Sequence, residues 1–167
     1  ISLITSSRAE EGLAMGLTIR ENILPNLRVR GFRAFTWVKP NSELTEAQHL
    51  TERFNVKPRD TELTIATLSG GNQQKFIVGR EMSKAPALLV ASHPTRGVDV
   101  GAQGAIWEVL REARAKGMAV VLISADLEEL IGMSDRLLVM LRGSITAELD
   151  PQKTTPEQLG SAMTGAA

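Results

Sequence analysis

The chain has no cysteine, and its only histidines are His49 and His93. Without cysteine there is no disulfide framework and no thiolate metal site, and a reducing cytoplasm is the compartment such a sequence fits most easily. Two isolated histidines leave no basis for a zinc site, so no metal ligands are assigned. An excess of charge is missing as well, because 19 Lys+Arg balance 19 Asp+Glu. A surface that binds nucleic acid needs a concentrated positive face, and the local cluster of Arg28, Arg30 and Arg33 is small. No apolar stretch reaches membrane-spanning length, so any membrane association has to come through a partner.

What is present has ordinary globular proportions: 43% hydrophobic and 23% charged side chains in 167 residues, enough to bury the core of one compact domain. The second half reads as strands separated by helices. Residues 87–91 and 119–123 are continuous apolar runs of strand length, the pattern of strands covered on both faces. Between them Ile106, Val109, Leu110 and Ala113 make an amphipathic helix that ends before Gly117, with Lys116 in its last turn. Strand, helix, strand in this order implies a right-handed parallel crossover. Asp126 followed by Glu129 reads as a capping box for a short helix bearing Leu127, Leu130 and Ile131. Residues 137–140 and 145–149 flank Arg142-Gly143 as a final strand pair, and 155–163 form a last helix with Pro156 in its first turn. The first half is less regular. Residues 18–27 predict a short helix interrupted near Pro25, 30–40 a loop carrying Phe32, Phe35 and Trp37, and 43–55 a helix with Leu44, Ala47, Leu50 and Phe54 on one stripe.

The most informative stretch is Leu68-Ser69-Gly70-Gly71-Asn72-Gln73-Gln74-Lys75. Ser69 is a good N-cap, the two glycines let the backbone approach a ligand closely, and residues 73–84 have helix-forming composition. The first amides of such a helix have no partner inside it, and together with the positive end of the helix dipole they attract anions, a nucleotide triphosphate being a common one. Taken alone, Ser-Gly-Gly is also what a plain capped helix start looks like.

In its surroundings the stretch resembles the signature motif of ATP-binding cassette (ABC) ATPases. Pro94-Thr95-Arg96-Gly97-Val98-Asp99 is similar to that family's turn after the Walker B strand and its D-loop. The strand at 118–124, Asp126-Leu127-Glu128-Glu129-Leu130, Ser134-Asp135-Arg136 and the run 137–143 are similar to a cassette's closing section. Arg8, Glu11-Gly12-Leu13, Gly16-Leu17 and Glu21-Asn22-Ile23 resemble the segment after the Q-loop in the second cassette of bacterial simple-sugar importers of the ribose/galactose type. The wording Pro94-Thr95-Arg96-Gly97-Val98-Asp99-Val100-Gly101-Ala102 and the ending Met163-Thr164-Gly165 favour that branch. The resemblance implies an α/β fold: an incomplete P-loop-NTPase-like parallel sheet with helices on both faces, plus a small helical subdomain. It makes 1–167 one partial cassette, with 18–84 the helical subdomain including the signature helix and 85–167 the later part of the α/β core.

The phosphate loop of such enzymes, Gly-x-x-x-x-Gly-Lys-Ser/Thr, occurs nowhere in the chain. The resemblance places Ile1 already past that loop, so the chain is expected to be a fragment, the later part of a cassette. Positions where the family carries catalytic groups differ too. Ser92 stands in place of the Walker B aspartate that orders Mg²⁺, and a hydroxyl is a poor ligand for a hard dication. His93 replaces the glutamate that polarises water, Ala125 the switch histidine, and Ser6 the Q-loop residue. The domain's own nucleotide site should therefore be dead.

A dead site and an intact signature are compatible, because the resemblance implies head-to-tail pairing of cassettes with ATP between the phosphate loop of one and the signature of the other. Ser69, Gly70, Gly71 and Asn72 would then close over the γ-phosphate of ATP held, with its Mg²⁺, by a partner cassette. Asp99 would align the two halves, and Gln73 and Lys75 would assist unless they merely form a solvated helix face. The helical subdomain would receive a coupling helix from a transmembrane permease subunit on the cytoplasmic side of the membrane, with Phe32, Phe35 and Trp37 either at that contact or covering the subdomain's own small core. Losing the earlier part of a cassette would bare Leu88, Val90, Val121 and Ile123, so self-association is expected. A non-catalytic protein-interaction domain and a chromosome-maintenance or repair ATPase are the alternatives. The latter lacks support in heptads or a basic face.

Overall fold

The computed structural model describes residues 1–24 and 42–165. The aromatic segment with Phe32, Phe35 and Trp37, the arginine cluster and the break at Pro25 lie outside the described residues. Two compact units are present, Ile1–Val121 and Leu122–Ala167.

In the first unit β1 (Ser2–Ile4) and β2 (Leu88–Ser92) pair in parallel, with Leu3 opposite Val90 and Ile4 opposite Ala91. β3 (Ala119–Ile123) completes a three-stranded sheet in the order β1-β2-β3. Alternation along a strand sends neighbours to opposite faces. Ile4, Leu89 and Ala91 are wholly buried and Ser2 nearly so, whereas Leu3 is 53% and Val121 48% exposed, and Leu88 and Val90 are half-buried. The expectation of strands covered on both faces therefore fails among the described residues. A run without polar residues hides which face is dry, and here only one is.

The dry face is covered by α2 (Gly70–Met82), whose Glu81 carbonyl accepts from Ser2 Oγ at 3.2 Å. This helix is the centre of the unit. Phe76, Ile77 and Val78 are buried, and so are Gln73, Gln74 and Arg80. Arg80 spreads its guanidinium over backbone carbonyls, donating to Gly12 O at 2.7 Å and Asn22 O at 3.4 Å, which ties α2 to the helical turns Arg8–Gly12 and Glu21–Ile23. The second of those turns is opened by a reciprocal exchange that the sequence signals as Thr-x-x-Glu. Thr18 N donates to Glu21 Oε2 at 2.8 Å and Glu21 N to Thr18 Oγ1 at 3.1 Å.

α1 (Ser42–Arg53) buries Ala47, Leu50 and Thr51, and Phe54 just beyond it lays its ring on Gly79 of α2. α3 (Val100–Ala115) buries Ala102, Ile106, Leu110 and Ala113 at helical spacing and stops at Lys116, with Gly117 at φ +91° carrying the chain out of the helix.

The second unit has its own small core of Leu137, Val139 and Leu159. β4 (Leu137–Leu141) and β5 (Ser144–Leu149) form an antiparallel hairpin, with Arg142 and Gly143 both at positive φ as a tight two-residue hairpin turn requires. α5 (Pro156–Thr164) starts with a full capping box between Thr155 and Gln158. α4 (Leu127–Met133) starts with half of one. Asp126 Oδ1 accepts from Glu129 N at 3.0 Å, but the Asp126 amide goes to Ser124 Oγ and Glu129 is buried. Among the described residues no helix is long and apolar enough to cross a membrane.

Candidate functional site

Ser69 takes extended backbone angles, φ −60° and ψ 155°, and caps α2. Its Oγ accepts from Asn72 Nδ2 at 2.9 Å and from Asn72 N at 3.4 Å. Asn72 is itself held, since its Oδ1 accepts from Lys57 N at 2.9 Å. A serine hydroxyl has two acceptor directions and one proton. Both acceptor directions are engaged here, so the proton is left to donate outward. Beside it stand the amides of Gly70 and Gly71, in the first turn where a helix offers no carbonyl to receive them.

The two glycines also sit in tight packing of the protein's own, a feature the local sequence does not reveal. A Cβ on Gly70 would lie 3.1 Å from Arg8 Nη2 and 3.2 Å from Gly97 O. One on Gly71 would lie 3.0 Å from Ala102 Cβ and 3.1 Å from Asp99 Oδ2. The N-termini of α2 and α3 thus meet with little room for side chains, and Gly97 makes the intervening turn at φ +66°.

Asp99 caps α3, its Oδ1 accepting from Ala102 N at 2.9 Å. The Ala102 amide is the main reason the carboxyl titrates below the ordinary carboxylate range. Partial desolvation opposes this, while the amides of Asp99 and Gly101 and the charge of Lys75 add to it. Asp99 is therefore an anion next to the candidate anion cradle, which suits a residue that orients backbone and a partner better than one that holds a phosphate.

Gln73 is turned inward. It is 8% exposed, and its Nε2 donates to Leu68 O at 3.1 Å and Ile65 O at 3.4 Å. That bond fixes the turn Ile65–Thr67 to the start of α2. Its side chain neither reaches toward a ligand nor forms part of a solvated face. The structure brings together Ser69, Gly70, Gly71, Asn72 and Asp99, and adds Arg8, whose Nη1 donates to Arg96 O at 2.7 Å.

Ser92 ends β2 half-buried, and His93 follows at φ +48°, a left-handed conformation unusual for a side-chain-bearing residue; its carbonyl accepts from Arg96 N at 3.1 Å to close the turn. Ser6 is exposed after β1. Ala125, in the second unit, is exposed before α4. Among the described residues no group of three or more His, Asp or Glu side chains is placed to hold a metal ion. A cleft of 660 Å³ runs along the flanks of α2 and α3 past Phe54, Val78, Met82, Ile106 and Val109, and Ser69, Gly70 and Asp99 take no part in it.

No family model matches the chain. Curated relatives do. The ribose import ATP-binding protein RbsA of Bacillus licheniformis is 39% identical over 166 residues, 99% of this chain and 33% of the relative. RbsA of Oceanobacillus iheyensis is 37% identical over the same share. The xylose import ATP-binding protein XylG of Moorella thermoacetica is 33% identical over 165 residues, 99% of this chain and 32% of the relative. The chain spans about a third of the length of these relatives. Among solved structures, a post-hydrolysis dimer of an ATP-binding cassette bound to ADP and Pi matches with TM-score 0.73 at 20% identity, over 90% of this chain and 62% of that one. An inward-facing putative metal-chelate type ABC transporter matches with TM-score 0.74 at 16% identity, over 98% and 64%. The chain has the α/β fold of ATP-binding cassettes, and nearly all of its sequence is similar to about a third of each ribose or xylose import ATP-binding protein.

Proposed function

We propose that the chain supplies the signature face of an ATP site whose nucleotide and Mg²⁺ are held by a partner cassette, and that it thereby helps to energise sugar import. The observation that carries this reading is Ser69. Its hydroxyl has both acceptor directions taken by Asn72 and its proton free, at the open end of α2 beside the Gly70 and Gly71 amides. Such fixed donors stabilise charge developing on a transferring phosphoryl group without having to reorganise. Asn72 acts by orienting Ser69, Gln73 by anchoring the start of the helix, and Asp99 by setting the turn that faces the partner.

The chain's own nucleotide site is degenerate on this reading. Ser92 and His93 replace the carboxylates that would order Mg²⁺ and water, and Ala125 offers no γ-phosphate contact. The transmembrane permease subunit would dock on the helical subdomain, placing the chain at the cytoplasmic face of the membrane. The names of the relatives, ribose and xylose import proteins, support a sugar as cargo.

The test mixes the chain with a cassette that has an intact phosphate loop and follows phosphate release. Loss of one preorganised donor typically costs ~10²–10³-fold in kcat. Ser69→Ala should therefore abolish most of the stimulation the wild-type chain gives. Equal turnover with wild type, with Ser69→Ala and without any added chain would rule the trans role out.

A further inference from the structure

We infer that Arg8 is a positioning residue of this site: its guanidinium clamps the turn 93–99 onto the N-terminus of α2, so that the signature and the D-loop-like turn face the partner as one body. The part of this inference that concerns ATP rests on the reading above, whereas the clamp itself rests on geometry. Arg8 begins the helical turn that follows β1, and its Nη1 donates to the carbonyl of Arg96, 88 residues away, at 2.7 Å. Its Nη2 lies 3.1 Å from the place a Cβ would take on Gly70 and 3.4 Å from the place one would take on Gly97, and Gly97 O is itself 3.2 Å from the Gly70 position. Three segments distant in sequence therefore converge on one planar group, with the absence of a side chain at Gly70 giving it room and Gly97 supplying the φ of +66° that the turn needs. The planar guanidinium bonds Arg96 O through Nη1 while Nη2 lies against Gly70 and Gly97, a shape that a tetrahedral ammonium does not reproduce.

Electrostatics adds a second argument. A cation beside a helix N-terminus is unfavourable to the helix dipole. Arg8 has no carboxylate partner among the ion pairs of the described residues, so only its bond to the Arg96 carbonyl offsets that cost as the chain stands. A phosphate at the α2 N-terminus reverses that sign. Occupancy of the cradle and tightness of the clamp would then reinforce each other.

The test compares wild type, Arg8→Ala, Arg8→Lys and Ser69→Ala in two assays. Amide hydrogen exchange on the chain alone should show the Arg96–Asp99 turn exchanging about tenfold faster in both Arg8 variants, with α5 in the second unit unchanged. In the mixture with an intact cassette, both Arg8 variants should lower kcat and leave the KM for ATP unchanged, because the partner holds the nucleotide, and lysine should fail to rescue. Unchanged exchange overturns the clamp whatever turnover does. Faster exchange with wild-type turnover, while Ser69→Ala is impaired, overturns the coupling to ATP and leaves the trans reading standing. Indifference to Ser69→Ala as well sinks the trans reading, and exchange alone then decides the clamp.

Discussion

Gly79 of α2 packs against Leu50 of α1 and the ring of Phe54 just beyond it, and putting a methyl group there has a calculable effect. The new Cβ would lie 2.6 Å from Cδ2 and 2.9 Å from Cγ of Phe54, and 3.1 Å from Cγ of Leu50. In an open helix interior alanine is worth about 1 kcal/mol over glycine. Here the gain is outweighed, since forcing a methyl into filled space costs about 1–3 kcal/mol. The backbone from which the ring springs is held, because Phe54 N is bonded to Leu50 O at 3.0 Å. The net effect of Gly79→Ala should be a loss of up to about 2 kcal/mol. Phe54→Ala alone should cost about 2–3 kcal/mol, below the ~3–5 kcal/mol of a fully buried phenylalanine because Phe54 is half-buried. In the Phe54→Ala background most of the clash is gone, so Gly79→Ala should become neutral or stabilising by up to about 1 kcal/mol. Urea unfolding of the four proteins, followed by circular dichroism with midpoints and slopes compared, measures the cycle. Equal losses from Gly79→Ala in both backgrounds would refute the packing argument. α2 would then be held against α1 by something other than this contact.

Two further outcomes follow from the same geometry. Because the folded Asp99 carboxyl titrates below its unfolded value of 3.8, its stabilising share is complete above that value and is lost as pH falls through the folded one. Melting temperatures of wild type and Asp99→Ala should therefore differ near neutral pH and converge in acid below 3.8, and a constant gap across that range would contradict the capping role. The open sheet face of Leu3, Leu88, Val90 and Val121 should drive self-association, read as a dimer or exchanged assembly by size exclusion with light scattering at micromolar concentration and broken by Leu3→Glu. Monomer alone in the wild type would count against it.

Elements whose cause is local were legible in the sequence. The apolar runs of β2 and β3, the Ile106, Leu110, Ala113 spacing of α3, the Thr155-Pro156 start of α5 and the cap at Ser69 all appear where local pattern and capping chemistry put them. α2 begins at Gly70, directly after the Ser69 cap, with both glycines inside the helix. What depends on distant neighbours was hidden. Gln73 and Gln74 look like surface residues by type, yet they are buried because the whole of α2 is packed on several sides. The glycine pair looks like a ligand cradle alone, whereas Arg8, Gly97, Ala102 and Asp99 also pack against it. Arg8 carries no local signal of its role, as its bond crosses 88 positions. The one-sided cover of β2 was hidden because an unbroken apolar run has no alternation to read.

The central claim is that the surviving anion cradle serves another cassette while the home site cannot work. Isothermal titration of Mg-ATP into the purified chain, with phosphate release measured on the same sample, tests it most directly. The account predicts no saturable binding up to millimolar nucleotide and no release above the buffer rate. Tight binding with turnover by the chain alone would contradict it.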